Sequence, residues 1–452
     1  MWWHDLRLAW LSIQRNPFIA ALIVAVIAVG VATSVVAITL YHAKAGNPIW
    51  WKNDVLYRVL LDSRPLGHDF EVGRHADVGP QLLIYRDAAA LYQSKIPTRS
   101  VMLLVTAGPI AATSPGGHPL NKTARFTTWQ FFSLFDVPFL YGRGWSSSDD
   151  EGPAPVAVIS RYLNDRLFAG KNSVGNSVTF NGQTFRIIGV LDTWMPLPRF
   201  YDVGSSFMPS DDLFIPFHWA ESMPDLEFLG FCQKTQAMVT VFKDLVPADC
   251  ISTGLWVQLD TSAQREQFRR LLDNYSDAQR EAGRFVRPNN NRIANVAQWL
   301  EINDVVDNES KFRVVLALIF LGICILNTLG LTLSKFMSAA PLAGIRRALG
   351  ATRGDIMRQH LVEVLLLGIL GGALGIGLAG LGLRLIRGFF YMKRQDVELN
   401  PAYANIAQSL SHMDGRMIAA AIGLSLLAGI LAGIYPVWRI ARLAPATFLK
   451  AQ

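Results

Sequence analysis

Four uninterrupted apolar stretches constrain this chain more than any motif does. Residues 19–40, 314–334, 364–383 and 417–438 contain no charged side chain. A helix needs about 20 residues to cross a hydrocarbon core of roughly 30 Å, and each stretch is long enough. A buried helix of a soluble domain would account for one such stretch but not for four. A signal-peptide apolar region would run only about 7–15 residues, so the first stretch reads as a retained span. Only 17% of the 452 residues are Asp, Glu, Lys or Arg, against about 25% in soluble domains.

Basic residues flank these stretches. Arg7 and Arg15 precede the first, and Lys335, Arg346, Arg347, Arg353 and Arg358 lie between the second and third. Arg439, Arg442 and Lys450 follow the fourth. The positive-inside rule puts those three segments in the cytoplasm. The connection between the third and fourth stretches is also basic, with Arg384, Arg387, Lys393, Arg394 and Arg416, so the rule is weak there. Residues 42–311 then lie outside, because long domains translocate largely regardless of charge. Topology therefore accounts for the net charge of +7, and no basic patch interleaved with aromatics asks for nucleic acid.

These patterns give a membrane protein with four transmembrane α-helices and a large α+β domain between the first and second. The expected parts are an amphipathic cytoplasmic helix at 1–17, spans at 18–41, 312–335, 361–385 and 417–438, and the external domain at 42–311. A cytoplasmic segment at 336–360, an external loop at 386–416 and a cytoplasmic tail at 439–452 complete the chain. In the first segment Leu6, Leu8, Leu11 and Ile13 alternate with Asp5, Arg7 and Arg15, the pattern of a helix lying on a membrane surface.

Within the external segment, residues 156–159 read as a short buried strand, and Ser160 can cap a helix over 161–168. Residues 178–180 and 184–190 flank Asn181-Gly182 and predict a hairpin. Phe268, Leu271, Leu272 and Tyr275 fall at helical spacing within 261–285. Residues 193–260 are richer in Pro and aromatics and suggest a second lobe or an insertion. Residues 294–315 suggest a stalk helix entering the second span. Cys232 and Cys250 are either a disulfide, if the compartment is oxidising, or two buried thiols. Cys324, inside the second span, reads as a small packing residue.

In the third span Gly368/Gly372 and Gly371/Gly375 are small-xxx-small pairs, repeated by Gly429/Gly433 in the fourth. Such spacing lets helix backbones approach closely, inside one subunit or between two. Glu363, at the start of the third span, reads as a charge favoured by the helix dipole. Leu342, Ile345 and Leu349 share one helical face, rimmed by Arg346, Arg347 and Arg353. Such a basic amphipathic segment suits a protein groove or anionic lipid.

Several stretches together resemble the MacB/FtsX-type permeases of ATP-binding-cassette systems. They are Asp5-Leu6-Arg7 through Arg15-Asn16-Pro17, then Asp136-Val137-Pro138 with Gly142-Arg143, and the strand, helix and Asn-Gly hairpin that follow. The most specific is Gly344-Ile345-Arg346-Arg347-Ala348-Leu349-Gly350-Ala351-Thr352 before the glycine-rich span. The ending Tyr435-Pro436-Val437-Trp438-Arg439 is similar as well.

The resemblance implies a bacterial inner-membrane protein with a periplasmic domain and both termini cytoplasmic. It implies a cytoplasmic ATPase subunit that holds ATP and Mg, and a second permease copy or a paralogous permease. A periplasmic adaptor and an outer-membrane channel are further implied partners. In such systems ATPase closure reshapes the periplasmic domains, a mechanotransmission used for efflux or, in some members, for signalling and regulation. The segment bearing Leu342, Ile345, Arg346, Arg347, Leu349 and Arg353 would dock the ATPase. Asn327 matches an Asn of the family's second span and would hydrogen bond across helices. Leu342 stands where the family usually has an acidic residue, which suggests a divergent half of a heterodimer.

No P-loop is present: Ala169-Gly170-Lys171-Asn172 lacks the earlier glycine and the closing Ser or Thr. Without that loop, a zinc-protease motif or a nucleophile elbow, the sequence gives no ground for enzyme activity, cofactor or metal in this chain itself.

Overall fold

The computed structural model describes residues 2–442 apart from 66–79, 113–118, 153, 224–225, 233–236, 246, 339, 394–407 and 410–414. The chain begins with α1 (Trp2–Arg15) and α2 (Pro17–Ala45). Pro17 opens α2, where its missing N–H removes no helical hydrogen bond. The strands that follow are β1 (Leu56–Leu60), β2 (Leu83–Ile84), β3 (Arg99–Ala112), β4 (Leu120–Thr127), β5 (Phe139–Gly142) and β6 (Val156–Ile159). After them come β7 (Ser177–Phe180), β8 (Gln183–Leu191), β9 (Leu213–Pro216), β10 (Glu227–Cys232), β11 (Ala237–Val241), β12 (Cys250–Gln258) and β13 (Arg292–Asn295). Helices Arg161–Phe168, Ser262–Glu281 and Val296–Ile302 are interleaved with them. The chain closes with α3 (Asn308–Ser338), α4 (Ala340–Ala348), α5 (Arg353–Lys393) and α6 (Gly415–Arg442).

Residues Gly46–Val305 form one compact unit and the long helices another. In the first, the strands run in the order β11-β10-β12-β3-β4-β9-β6-β8-β5, with β1, β2, β7 and β13 paired alongside. Successive residues of β6 and β12 serve opposite faces. Ala157, Ile159, Leu255 and Val257 enter one apolar core, and Val156, Val158 and Trp256 the other. The hairpin β7–β8 turns on Asn181 and Gly182, both at positive φ. Gly182 adopts that conformation without strain. Ser160 accepts from the Leu163 amide and caps its helix. Thr261 and Gln264 close a capping box at the start of Ser262–Glu281.

Two expectations are corrected here. Residues 193–260 are not a separate lobe: β9 pairs with β4 and β6, and β12 with β1 and β3. The continuous stalk over 294–315 is absent. Residues 292–295 form β13, a capped helix spans Val296–Ile302, and α3 begins only at Asn308. Val296, Trp299 and Leu300, which sustain the helical pattern, are buried in the core of the first unit. Asp304 then takes a positive φ that breaks the helix.

That unit also buries charge. Arg125 on β4 places Nε 2.9 Å and Nη2 2.6 Å from Asp211 and Asp202. Arg199 reaches the same two carboxylates at 3.5 and 3.0 Å. The ring of Tyr201 lies 5.4 and 5.6 Å from the two guanidinium carbons, close enough for cation–π attraction.

In the second unit, α2, α3, α5 and α6 are each long and apolar enough to span a membrane. Ser34 donates to the carbonyl of Ala317, and Thr332 to that of Ala432. Each bond keeps a hydroxyl satisfied inside the helix bundle. The third span belongs to a helix that starts at Arg353, so residues 353–360 of the segment expected over 336–360 are its first turns. Most of the expected 386–416 loop, and the tail beyond 442, lie outside the described residues.

Candidate functional site

The connection between α3 and α5 is a tight helical hairpin whose local sequence explains its shape. Gly350 takes φ +102° just past α4, a conformation that suits glycine. The Ala351 amide donates back to the carbonyl of Arg346 at 3.1 Å, which ties off the helix end. Thr352 then caps α5: its Oγ1 accepts from the Asp355 amide, while the Asp355 carboxylate accepts from the Thr352 amide. One short motif therefore stops one helix and starts the next.

Leu342 and Ile345 are exposed, and Leu349 is 83% exposed at the tip. Arg353 is exposed at the first position of α5. Arg346 is half-buried and donates to Gln359 Oε1 at 2.6 Å. The side chain of Arg347 lies outside the described residues. Phe336, Ala340, Ile356, Val364, Val437 and Ile440 form the apolar base beneath the hairpin.

Behind the hairpin lies a buried polar cluster that the sequence reading missed. Glu363 sits three turns into α5, fully buried, rather than at an interfacial helix start. Lys335 of α3 places Nζ 2.6 Å from Glu363 Oε1. Ser12 of α1 donates to the same oxygen at 2.7 Å, and His360 Nδ1 lies 3.4 Å from Oε2. One carboxylate thus joins α1, α3 and α5. The signal was available: Lys335 and Glu363 are the charges that close one apolar stretch and open the next. A cavity of about 570 Å³ opens beside Lys335, between α1, α4 and the start of α5.

The glycine pairs of α5 divide between two neighbours in the same chain. A Cβ on Gly372 would collide with Ser425 Oγ of α6, and Gly368 faces Gly429. A Cβ on Gly371 would lie 2.7 Å from Ile27 of α2, and Gly375 meets Ala28 and Val31. The spacing therefore serves packing inside one subunit, on two faces. Asn327 is exposed on α3 of the single chain, and the adjacent Thr328 takes the face buried within it. One residue is a rotation of about 100°, so the two cannot share a face. Cys324 is buried beside Gly30. In the other unit Cys232 and Cys250 are cross-strand partners on β10 and β12, joined by a disulfide. No group of three or more His, Cys, Asp or Glu side chains could hold a metal among the described residues.

Comparison with known proteins places these parts in context. Residues 20–275 match the MacB-like periplasmic core domain, and residues 314–445 match the FtsX-like permease C-terminal domain. The macrolide export ATP-binding/permease protein MacB of Syntrophobacter fumaroxidans is 25% identical over 72% of this chain and 47% of its own length. The uncharacterized ABC transporter permease YknZ of Bacillus subtilis is 23% identical over 69% of this chain and 65% of its own. The chain thus spans less than two thirds of either relative. The crystal structure of the periplasmic region of MacB from Actinobacillus actinomycetemcomitans aligns with 59% of this chain and 98% of its own, at 16% identity and a TM-score of 0.36. Neither matched domain is an ATPase.

Proposed function

The chain belongs to the family defined by the MacB-like periplasmic core domain joined to an FtsX-like permease domain, and on that premise we propose that it couples a separate ATPase to its periplasmic domain. It is a multi-pass membrane protein with a periplasmic domain. In this reading both termini and the α4–α5 hairpin face the cytoplasm, as their basic residues favour. A partner ATPase holds ATP and Mg and closes on the hairpin. The motion passes through α3 and α5 and changes the periplasmic domain, driving export.

The observation that carries the reading is the hairpin itself. It presents Leu342, Ile345 and Leu349 as exposed side chains, and the Gly350 turn and the Thr352 cap fix its bend. Apolar anchors ringed by Arg346 and Arg353 suit a groove in a partner protein. The absence of a carboxylate at Leu342 favours pairing with a paralogous permease that supplies one. A second permease copy or paralogue would also cover Asn327, whose amide is otherwise costly on an apolar face. The alternative is a regulatory permease that moves no substrate.

The test is to tag the chain in its own host, extract it gently and identify stoichiometric companions. An ATPase is expected, and Ile345→Asp with Leu349→Asp should release it. An ATPase with a second, different permease favours the heterodimer, and an adaptor favours export. An intact preparation without any ATPase contradicts the reading.

A further inference from the structure

The cavity between α1, α4 and α5 has walls of two kinds. Leu8, Leu11 and Leu342 give it apolar surface, whereas Arg15, Lys335 and Arg346 bring cations to it. Among the described residues, no carboxylate lines it. Glu363 balances Lys335, but Arg346 bonds only the neutral amide of Gln359. Among the described residues, no carboxylate lies in ion-pair range of Arg15 or Arg346. The cavity therefore carries surplus positive charge. Lys335 is 1% exposed, and its ammonium lies 2.6 Å from one carboxylate oxygen, Glu363 Oε1. An ammonium carries three donors, and this one also borders an open space large enough for a ligand group.

A small soluble anion would satisfy the cations and leave the leucines against water. A phosphodiester carrying acyl chains satisfies both kinds of wall, and basic pockets between transmembrane helices on the cytoplasmic side accept such headgroups. We propose that this cavity seats the phosphate of an anionic phospholipid, with its chains along α1, and that the lipid clasps α1 to the α4–α5 hairpin. Leu342, Ile345 and Arg346 line the cavity and so belong to both surfaces, whereas Leu349 and Arg353 lie outside the lining. The inference does not depend on a partner ATPase.

The test is native mass spectrometry of the delipidated full chain in detergent, titrated with phosphatidylglycerol or phosphatidylcholine. Phosphatidylglycerol should bind about tenfold tighter, because phosphatidylcholine has the same phosphate but adds a quaternary ammonium that the cationic wall repels. Arg15→Gln and Arg346→Gln should each weaken it about fivefold. Arg439→Gln, an exposed basic residue of α6 away from the cavity, should leave it unchanged. Equal binding of the two lipids would overturn the proposal, as would equal sensitivity to Arg439→Gln. Displacement by millimolar inorganic phosphate, with the same variants sensitive, would assign the cavity to a free anion instead.

Discussion

The two units of this molecule bury charge in different ways. In the periplasmic domain, Arg125 and Arg199 share Asp202 and Asp211, so each carboxylate faces two guanidinium groups over an aromatic ring. In the membrane unit, Lys335 has one carboxylate among the described residues, Glu363, which also serves Ser12 of α1 and His360 one turn earlier on its own helix. The first arrangement is a mesh inside one domain, in which loss of a strut leaves several charges exposed to low dielectric. The second is a single joint between three helices, beside a cavity. A mesh fixes one structure, whereas a joint with one contact per helix can change partners as the helices move.

Breaking the mesh should have the largest effect. Asp211→Ala removes a partner from both arginines, and loss of one member of a buried pair costs about 3–5 kcal/mol. A loss near the top of that range is expected, measured as reduced thermal stability of the full chain by near-ultraviolet circular dichroism. The joint should respond next. Glu363→Ala should cost about 3 kcal/mol by the same reasoning, and Lys335→Met combined with Glu363→Leu should restore stability without restoring ATPase-coupled function. If the double variant keeps full function, the joint is packing only.

The disulfide sharpens the comparison, because it constrains the periplasmic unit alone. Cys232 and Cys250 close a loop with a sequence separation of 18, worth about 3 kcal/mol in the chain-entropy account. Cys232→Ser with Cys250→Ser should lower the stability of that unit by this amount, and reductant should do the same to the parent. Extraction of the membrane helices should be unaffected.

The smallest effect is a pH dependence. Asp212 adjoins the mesh, and burial pushes its carboxyl up to about 6, opposed by Lys122 and by the hydrogen bond from Ser160. A carboxyl raised on folding favours the protonated state. Its stabilising contribution is therefore full below the ordinary value near 4 and is lost as pH rises through about 6. Stability should fall by about 2–3 kcal/mol across that window, and Asp212→Asn should remove the slope. A parent and variant with parallel profiles between pH 4 and 7 would contradict the assignment.

The spans were legible because each is a local run of apolar residues longer than any soluble element requires. The Asn181-Gly182 turn, the Ser160 cap and the helix over Phe268 and Leu272 were legible for the same local reason. The 193–260 segment was misread because its strands pair with residues far away in sequence, and local richness in Pro and aromatics carries no register. The stalk was misread because Val296, Trp299 and Leu300 fit a continuing helix, although they fill the core of the periplasmic unit. At the site, the exposed face of α4 could be read from Leu342, Ile345 and Leu349. Asn327 could not, because polarity within a span does not say which way the side chain faces.

The central claim is that the α4–α5 hairpin is the surface on which an ATPase acts. A photo-crosslinking amino acid placed at Leu349, in cells of the native host, tests it most directly, with the same label at Leu370, an exposed position of the third span, as control. The account predicts an ATPase adduct from Leu349, strengthened or weakened by nucleotide state, and none from Leu370. Adducts at Leu349 to lipid alone, while the chain retains its function, would contradict it.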